Sequence, residues 1–325
     1  MNAPLILKRP PASWAIVLAF ALVYISWGTT YLAIQKGVRD ESLPPALFGG
    51  VRVGLAGLLL LLYQAGRGHS LRLSGGELAG LIGVSWLLFV GGNGLITVAE
   101  KTVASGVAAV LAATTPLWMA LFAMAWGRGE RLHLRGWVGL LVGLGGVLVL
   151  LAPKLHDPAD FARDLGPLLV LASACCWALG SLVLRHRHSQ VPHLTAAGYQ
   201  MFLGGGSLAL LGLVLGEWQH MPERLTAGAV AAFCYLLVVG SLVGFVAFNW
   251  LLGHISATKV GTYAYVNPVV AVLVGWLAGE ELTGAIIAGI ATILVGVGLV
   301  RGGERGSPPT PAASACEEEL VQTEG

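Results

Sequence analysis

The polar and aromatic residues of this chain point to chemistry of binding rather than of bond making. Trp27, Tyr31, Trp118, Trp177, Tyr199, Tyr263 and Tyr265 lie inside apolar stretches. Their rings offer apolar contact, and their faces attract an ammonium group. Asn93, Thr115, Ser181 and Asn267 add neutral hydrogen-bonding groups at depth. They suit a zwitterion, or they join helix to helix. Arg52 is the one basic residue well inside such a stretch. It meets a substrate carboxylate, or it is a structural anchor that pairs with an acid or snorkels to the surface. Polar groups at membrane depth are costly, so each one present asks for a reason. These twelve positions form the candidate binding set.

Pro116 and Pro268 sit near the middle of two apolar runs. A mid-helix proline removes one hydrogen bond and clashes with the carbonyl four residues earlier. The carbonyls of Ala112 and Ala264 would be released, giving a hinge and a polar wall, or merely a packing kink. Catalysis finds little support. Ser26, Ser85, Ser173 and Ser241 are at depth, but His186, His188, His193 and His254 are at helix edges. Cys175 and Cys176 are adjacent, with Cys234 and Cys316 elsewhere. They read as packing residues, so no metal site is expected. Without a Walker loop, no ATP-driven step and no cofactor is expected either.

The elements that carry these residues are membrane spans. Hydrophobic residues make up 56% of the chain and charged residues 11%, against about 25% charge in a soluble domain. A net charge of +2 gives no reason to expect nucleic acid. About 20 apolar residues cross a bilayer as a helix. Ten such runs are present, at 13–35, 44–65, 77–98, 103–126, 135–152, 166–185, 194–216, 226–251, 257–278 and 284–301. The first run is too long for a signal peptide and lacks a cleavage site. Trp14, Trp137 and Trp218 lie near run ends and read as interface-belt residues.

Placing the N-terminus inside puts twelve Lys and Arg in inside segments and six in outside ones. That is the bias expected of cytoplasmic loops, and it puts both termini in the cytoplasm. Residues 302–325 read as a disordered tail. Glu100 falls at an outer hairpin and Glu77 at the inner start of the third run, so no carboxylate is expected at mid-membrane.

Two stretches read as copies. Ala104 through Pro116 to Leu132 matches Ser256 through Pro268 to Leu282, an offset of 152 at the prolines. Trp27 matches Trp177 at an offset of 150. The loop after the first proline run is basic and its counterpart is acidic (Glu280, Glu281). A five-helix unit repeated with inverted topology gives that pattern, with the site at the midplane. The expected fold is therefore an all-α membrane protein of ten transmembrane helices. Two inverted five-helix repeats, 1–152 and 166–301, surround a central cavity, with an outside linker at 153–165.

Ile25 through Tyr31, Gly92-Asn93-Gly94, Val98-Ala99-Glu100, the two proline runs and Ser256 through Pro268 resemble the EamA family. This is a family of the drug/metabolite transporter superfamily, and the likeness spans residues 13 to about 301. The resemblance implies an alternating-access carrier in a bacterial-type inner membrane, not an enzyme, sufficient as a monomer. It implies packing of the fifth and tenth helices, rich in glycine at Gly139, Gly143, Gly146 and Gly296. It also favours the structural role for Arg52. Members that export amino acids, together with the aromatic set, make amino acids the expected cargo. Other small metabolites or amphipathic drugs come second, and a channel is the alternative of another class. Small multidrug-resistance relatives exchange protons through a glutamate in the first helix. None lies between Ser13 and Gln35, which counts against proton/cation antiport of that kind.

Overall fold

The computed structural model describes residues 12–125, 134–155, 164–186, 191–254, 260 and 263–302. Expectations about the tail from 303, His188 and the loop holding Arg131 lie outside them. Helices make up the described structure, with no strand among the described residues. In chain order they are α1 (Ser13–Gln35), α2 (Pro45–Gly66), α3 (Gly75–Ala99), α4 (Ser105–Ala112), α5 (Thr115–Ala125) and α6 (Leu134–Leu155). Then come α7 (Gly166–His186), α8 (His193–Val214), α9 (227–254), α10 (Tyr263–Leu277) and α11 (Gly284–Gly302). Seven helical stretches are long and apolar enough to cross a membrane. Leu134–Val149, Val266–Leu277 and Gly284–Leu299 are shorter apolar helices.

Local chemistry explains several boundaries. Ser74 and Glu77 form a reciprocal capping box that starts α3. Pro45 opens α2 at a position where the missing N–H costs nothing. Glu217 caps the same helix, accepting from the amides of Ala46 at 3.2 Å and Leu47 at 2.8 Å.

The first proline departs from expectation. Pro116 does not sit in mid-helix: the chain breaks at Ala113–Thr114, and Pro116 falls in the first turn of α5. The Ala112 carbonyl instead accepts the Thr115 hydroxyl at 2.7 Å, and that of Leu111 accepts Thr114 at 2.7 Å. Pro268 does lie inside its helix, α10.

Three stretches are wound as π-helix: Lys36–Asp40 after α1, Trp86–Gly94 within α3 and Leu236–Gly244 within α9. The two longer ones are 150 residues apart at both ends. Such winding is rare and gathers at functional sites.

Glycines set the closest helix contacts. A Cβ on Gly50 of α2 would lie 2.3 Å from the Ala209 nitrogen of α8, and one on Gly205 would lie 2.2 Å from the Gly54 nitrogen. The expected packing of the fifth and tenth runs is present: a Cβ on Gly296 of α11 would lie 2.4 Å from the Gly143 nitrogen of α6. Backbones approach this closely where small residues line the seam. The central core joins Val23, Val53, Phe89, Met201, Phe248 and Leu251. Apolar side chains such as Val17, Leu62, Leu141 and Leu273 face outward, as a lipid solvent allows. Trp14, Trp137 and Trp218 are 70%, 47% and 58% exposed, consistent with a belt.

Candidate functional site

The helices enclose a cavity with about 960 Å³ of space unfilled by protein atoms, its solvent-open part included. Of the expected residues, Trp27, Tyr31, Arg52, Asn93, Thr115, Trp177, Tyr263, Asn267 and Pro268 line it. Tyr199, Trp118, Ser181 and Pro116 do not. The Tyr199 hydroxyl donates to the Leu71 carbonyl at 2.6 Å, tying down the loop after α2. Trp118 stacks on Phe122 at 6.3 Å. The side chain of Tyr265 lies outside the described residues.

The aromatic wall is built around Trp27. Its ring meets Trp177 edge-on at 5.9 Å and Tyr263 edge-on at 5.2 Å. Phe89 meets Trp177 at 6.5 Å and Phe245 at 5.4 Å. These edge-to-face arrangements suit the ring quadrupoles and hold each ring by its neighbours.

The two longer π-wound segments supply backbone to the same space. The Trp27 indole N–H donates to the Gly240 carbonyl at 3.2 Å, and the Ser173 hydroxyl donates to the Gly92 carbonyl at 2.6 Å. A wider turn leaves carbonyls without helical partners, and side chains of α1 and α7 take them. Gly92, Ser173, Gly240 and Ser241 line the cavity but were not in the candidate set. A glycine or serine in an apolar run carries no signal of this in the sequence.

Arg52 lies between the two longer π segments and is 3% exposed. Its Nη2 donates to Asn93 Oδ1 at 3.0 Å and its Nη1 to Ser241 Oγ at 3.4 Å. Both partners are neutral, and Nε has no hydrogen-bond partner. Asn267, 4% exposed, has an Oδ1 without a partner. A buried donor or acceptor left open costs about 1–3 kcal/mol. A cation and an amide, each with one unpartnered atom, therefore line a single aromatic cavity.

A polar cluster joins the start of α4 to the segment after α10. Glu280, beyond α10, accepts from the Ser105 amide at 2.9 Å, the Ser105 hydroxyl at 2.7 Å and the Gly106 amide at 3.1 Å. The Gln35 side chain also accepts from the Ser105 amide, at 2.8 Å. Glu280 thus caps α4 across the molecule, where the helix dipole favours an anion. Beside it, Glu100 is completely buried, and neither carboxyl oxygen completes a hydrogen bond. Its place at a hairpin was expected; its burial was not.

Comparison with known proteins agrees. A profile of the EamA-like transporter family matches the chain twice, over residues 13–152 and 164–302. An uncharacterized inner membrane transporter of Escherichia coli, YedA, is 36% identical over 300 residues, covering 91% of this chain and 93% of that protein. An uncharacterized transporter of Bacillus subtilis, YvbV, is 29% identical, covering 90% and 93%. A solved crystal structure at 23% identity shares the fold, with a TM-score of 0.62 over 89% of this chain and 96% of that one. With an apolar helical body and an aromatic cavity already in view, these matches establish that the chain is a membrane transporter and belongs to the EamA-like transporter family.

Proposed function

We propose that the protein exports amino acids across the cytoplasmic membrane by alternating access. One observation carries this reading: Arg52 and Asn267, whose Nε and Oδ1 have no partner, line the same cavity as Trp27 and Tyr263. A zwitterion complements that set. Its carboxylate meets the guanidinium, and its ammonium meets the amide oxygen and the ring faces. Phe89, Trp177 and Phe245 offer an apolar surface to the side chain, which favours apolar or aromatic amino acids.

The transport cycle follows from the architecture we propose, ten spans in two inverted five-helix halves, 1–152 and 166–301. The paired family match and the paired π segments support two copies of one unit. The charge bias supports cytoplasmic termini, and the inner-membrane name of the relative YedA supports that membrane. In this orientation we take the Glu280 cluster as an outer gate, held together by the bonds of Glu280 to Ser105 and Gly106. Pro116 at the α4–α5 break and Pro268 within α10 act as hinges on facing helices.

Radiolabelled amino-acid flux into liposomes bearing the purified protein tests the reading. Saturable flux competed by unlabelled amino acids is expected. Absence of flux above empty liposomes, in folded and inserted protein, would move the cargo to other metabolites or amphipathic drugs. Flux that never saturates would mean a channel.

A further inference from the structure

We infer that Glu100 is a proton-binding site of the outer gate: it holds a proton while that end is shut and gives it to the external water when the end opens. The inference rests on the alternating-access reading above, and its test needs no substrate.

Two carboxylates meet at this end in unlike settings. Glu280 accepts three hydrogen bonds from α4 and donates none, the pattern of an ionised carboxylate. Glu100 follows α3 directly, its amide bonded to the Ile96 carbonyl at 3.0 Å. Its side chain has 0% exposure and no hydrogen bond to either oxygen. A bare carboxylate in that position is expensive, and protonation removes the charge.

The groups facing it come from every side. Glu280 lies beyond α10, Arg52 on α2 and Tyr31 on α1, and the Gln35 backbone faces it from the end of α1. On the solvent side Lys101 is exposed, and Asp164 is held by the Thr102 hydroxyl at 2.7 Å. Burial pushes the Glu100 carboxyl well above the ordinary carboxylate range, and Glu280 adds to the rise. Arg52 and the Gln35 backbone oppose it without cancelling it.

Opening the gate separates Glu280 from Ser105 and Gly106 and lets water reach Glu100. The carboxyl then returns toward its ordinary range and ionises. The sign follows. At pH values between the open-state and shut-state values, the shut form holds one more proton than the open form. Rising pH in that window favours the open form, by up to about tenfold per pH unit for one proton. An acidic exterior keeps the gate shut. Since α1 contains no acid, this group would serve where a first-helix glutamate is lacking.

The experiment places spin labels at Lys101→Cys and Leu282→Cys, across the cluster, with Cys175, Cys176, Cys234 and Cys316 replaced by alanine. Electron–electron distances are measured in lipid nanodiscs from pH 5 to 9. Glu100 protein should show a single short distance in acid, with a longer population growing as pH rises. Glu100→Gln, permanently neutral, should keep the short distance throughout. Glu100→Asp should retain the transition with a displaced midpoint. An unchanged pH dependence in Glu100→Gln, or one distance at every pH in the Glu100 protein, would overturn the inference. Where Glu100→Gln does not insert, an unmoved midpoint in Glu100→Asp overturns it equally. Failure of amino-acid flux leaves the result intact, so the two readings stand or fall separately.

Discussion

In the proposed reading, substrate recognition turns on Arg52 and Asn267. An Arg52→Lys variant keeps a positive charge but loses the planar fork that spans Asn93 and Ser241. Removing a charged hydrogen-bond partner costs about 1.5–3 kcal/mol, roughly tenfold to a hundredfold. We expect Arg52→Lys to lower amino-acid flux at low substrate by about tenfold, with KM raised more than the maximal rate falls. Asn267→Leu should do the same while leaving the helix intact, since its amide oxygen makes no internal bond. Concentration-dependent flux in liposomes checks both. If Arg52→Lys transports normally, the arginine is an anchor and not a carboxylate contact.

Helix seams and caps decide whether the scaffold holds its shape. The α2–α8 seam leaves no room for a methyl group at Gly50, where the obstruction is backbone and cannot swing aside. Overpacking of this kind costs typically about 1–3 kcal/mol. Gly50→Ala should lower the temperature at which the detergent-solubilised protein aggregates, while Gly206→Ala, with nothing within 4 Å, should not. Aggregation followed by size exclusion after heating separates the two. A normal Gly50→Ala protein would mean that the seam is looser than drawn.

At the scale of the whole molecule the proposal concerns topology and direction. With both termini cytoplasmic, a fluorescent protein fused after residue 302 should glow, and alkaline phosphatase fused there should stay inactive. Fusions in the segment after α3, at Lys101, should behave in the opposite way. Active phosphatase at the C-terminus would invert the orientation, and the Glu280 cluster would then gate the cytoplasmic side.

Much of this was legible in the residues, and the failures share a cause. Trp27, Trp177, Tyr263, Asn93 and Asn267 were expected at a cavity and line it. Tyr199, Trp118 and Ser181 also lie inside apolar runs but do not line it. A soluble helix shows its buried face as an apolar stripe with polar residues opposite. These helices are apolar all round, so spacing reports depth along a helix and not the direction a side chain points. The Pro116 break had a partial signal, since the Thr114-Thr115 pair before it offers hydroxyls to the freed carbonyls. The π-wound turns had none.

By itself the sequence determined the membrane class, the apolar stretches and the bias of basic loops. Each follows from composition and order along the chain, because transfer into lipid is paid residue by residue. The tertiary structure alone decided which polar groups share one space. Arg52 meets Asn93 and Ser241 from three different helices. Glu280 reaches Ser105 across 175 positions of chain. Glu100, at a hairpin where water would be expected, is sealed off by its neighbours. Contacts of that separation depend on how the helices rotate and pack, and no local pattern encodes the rotation.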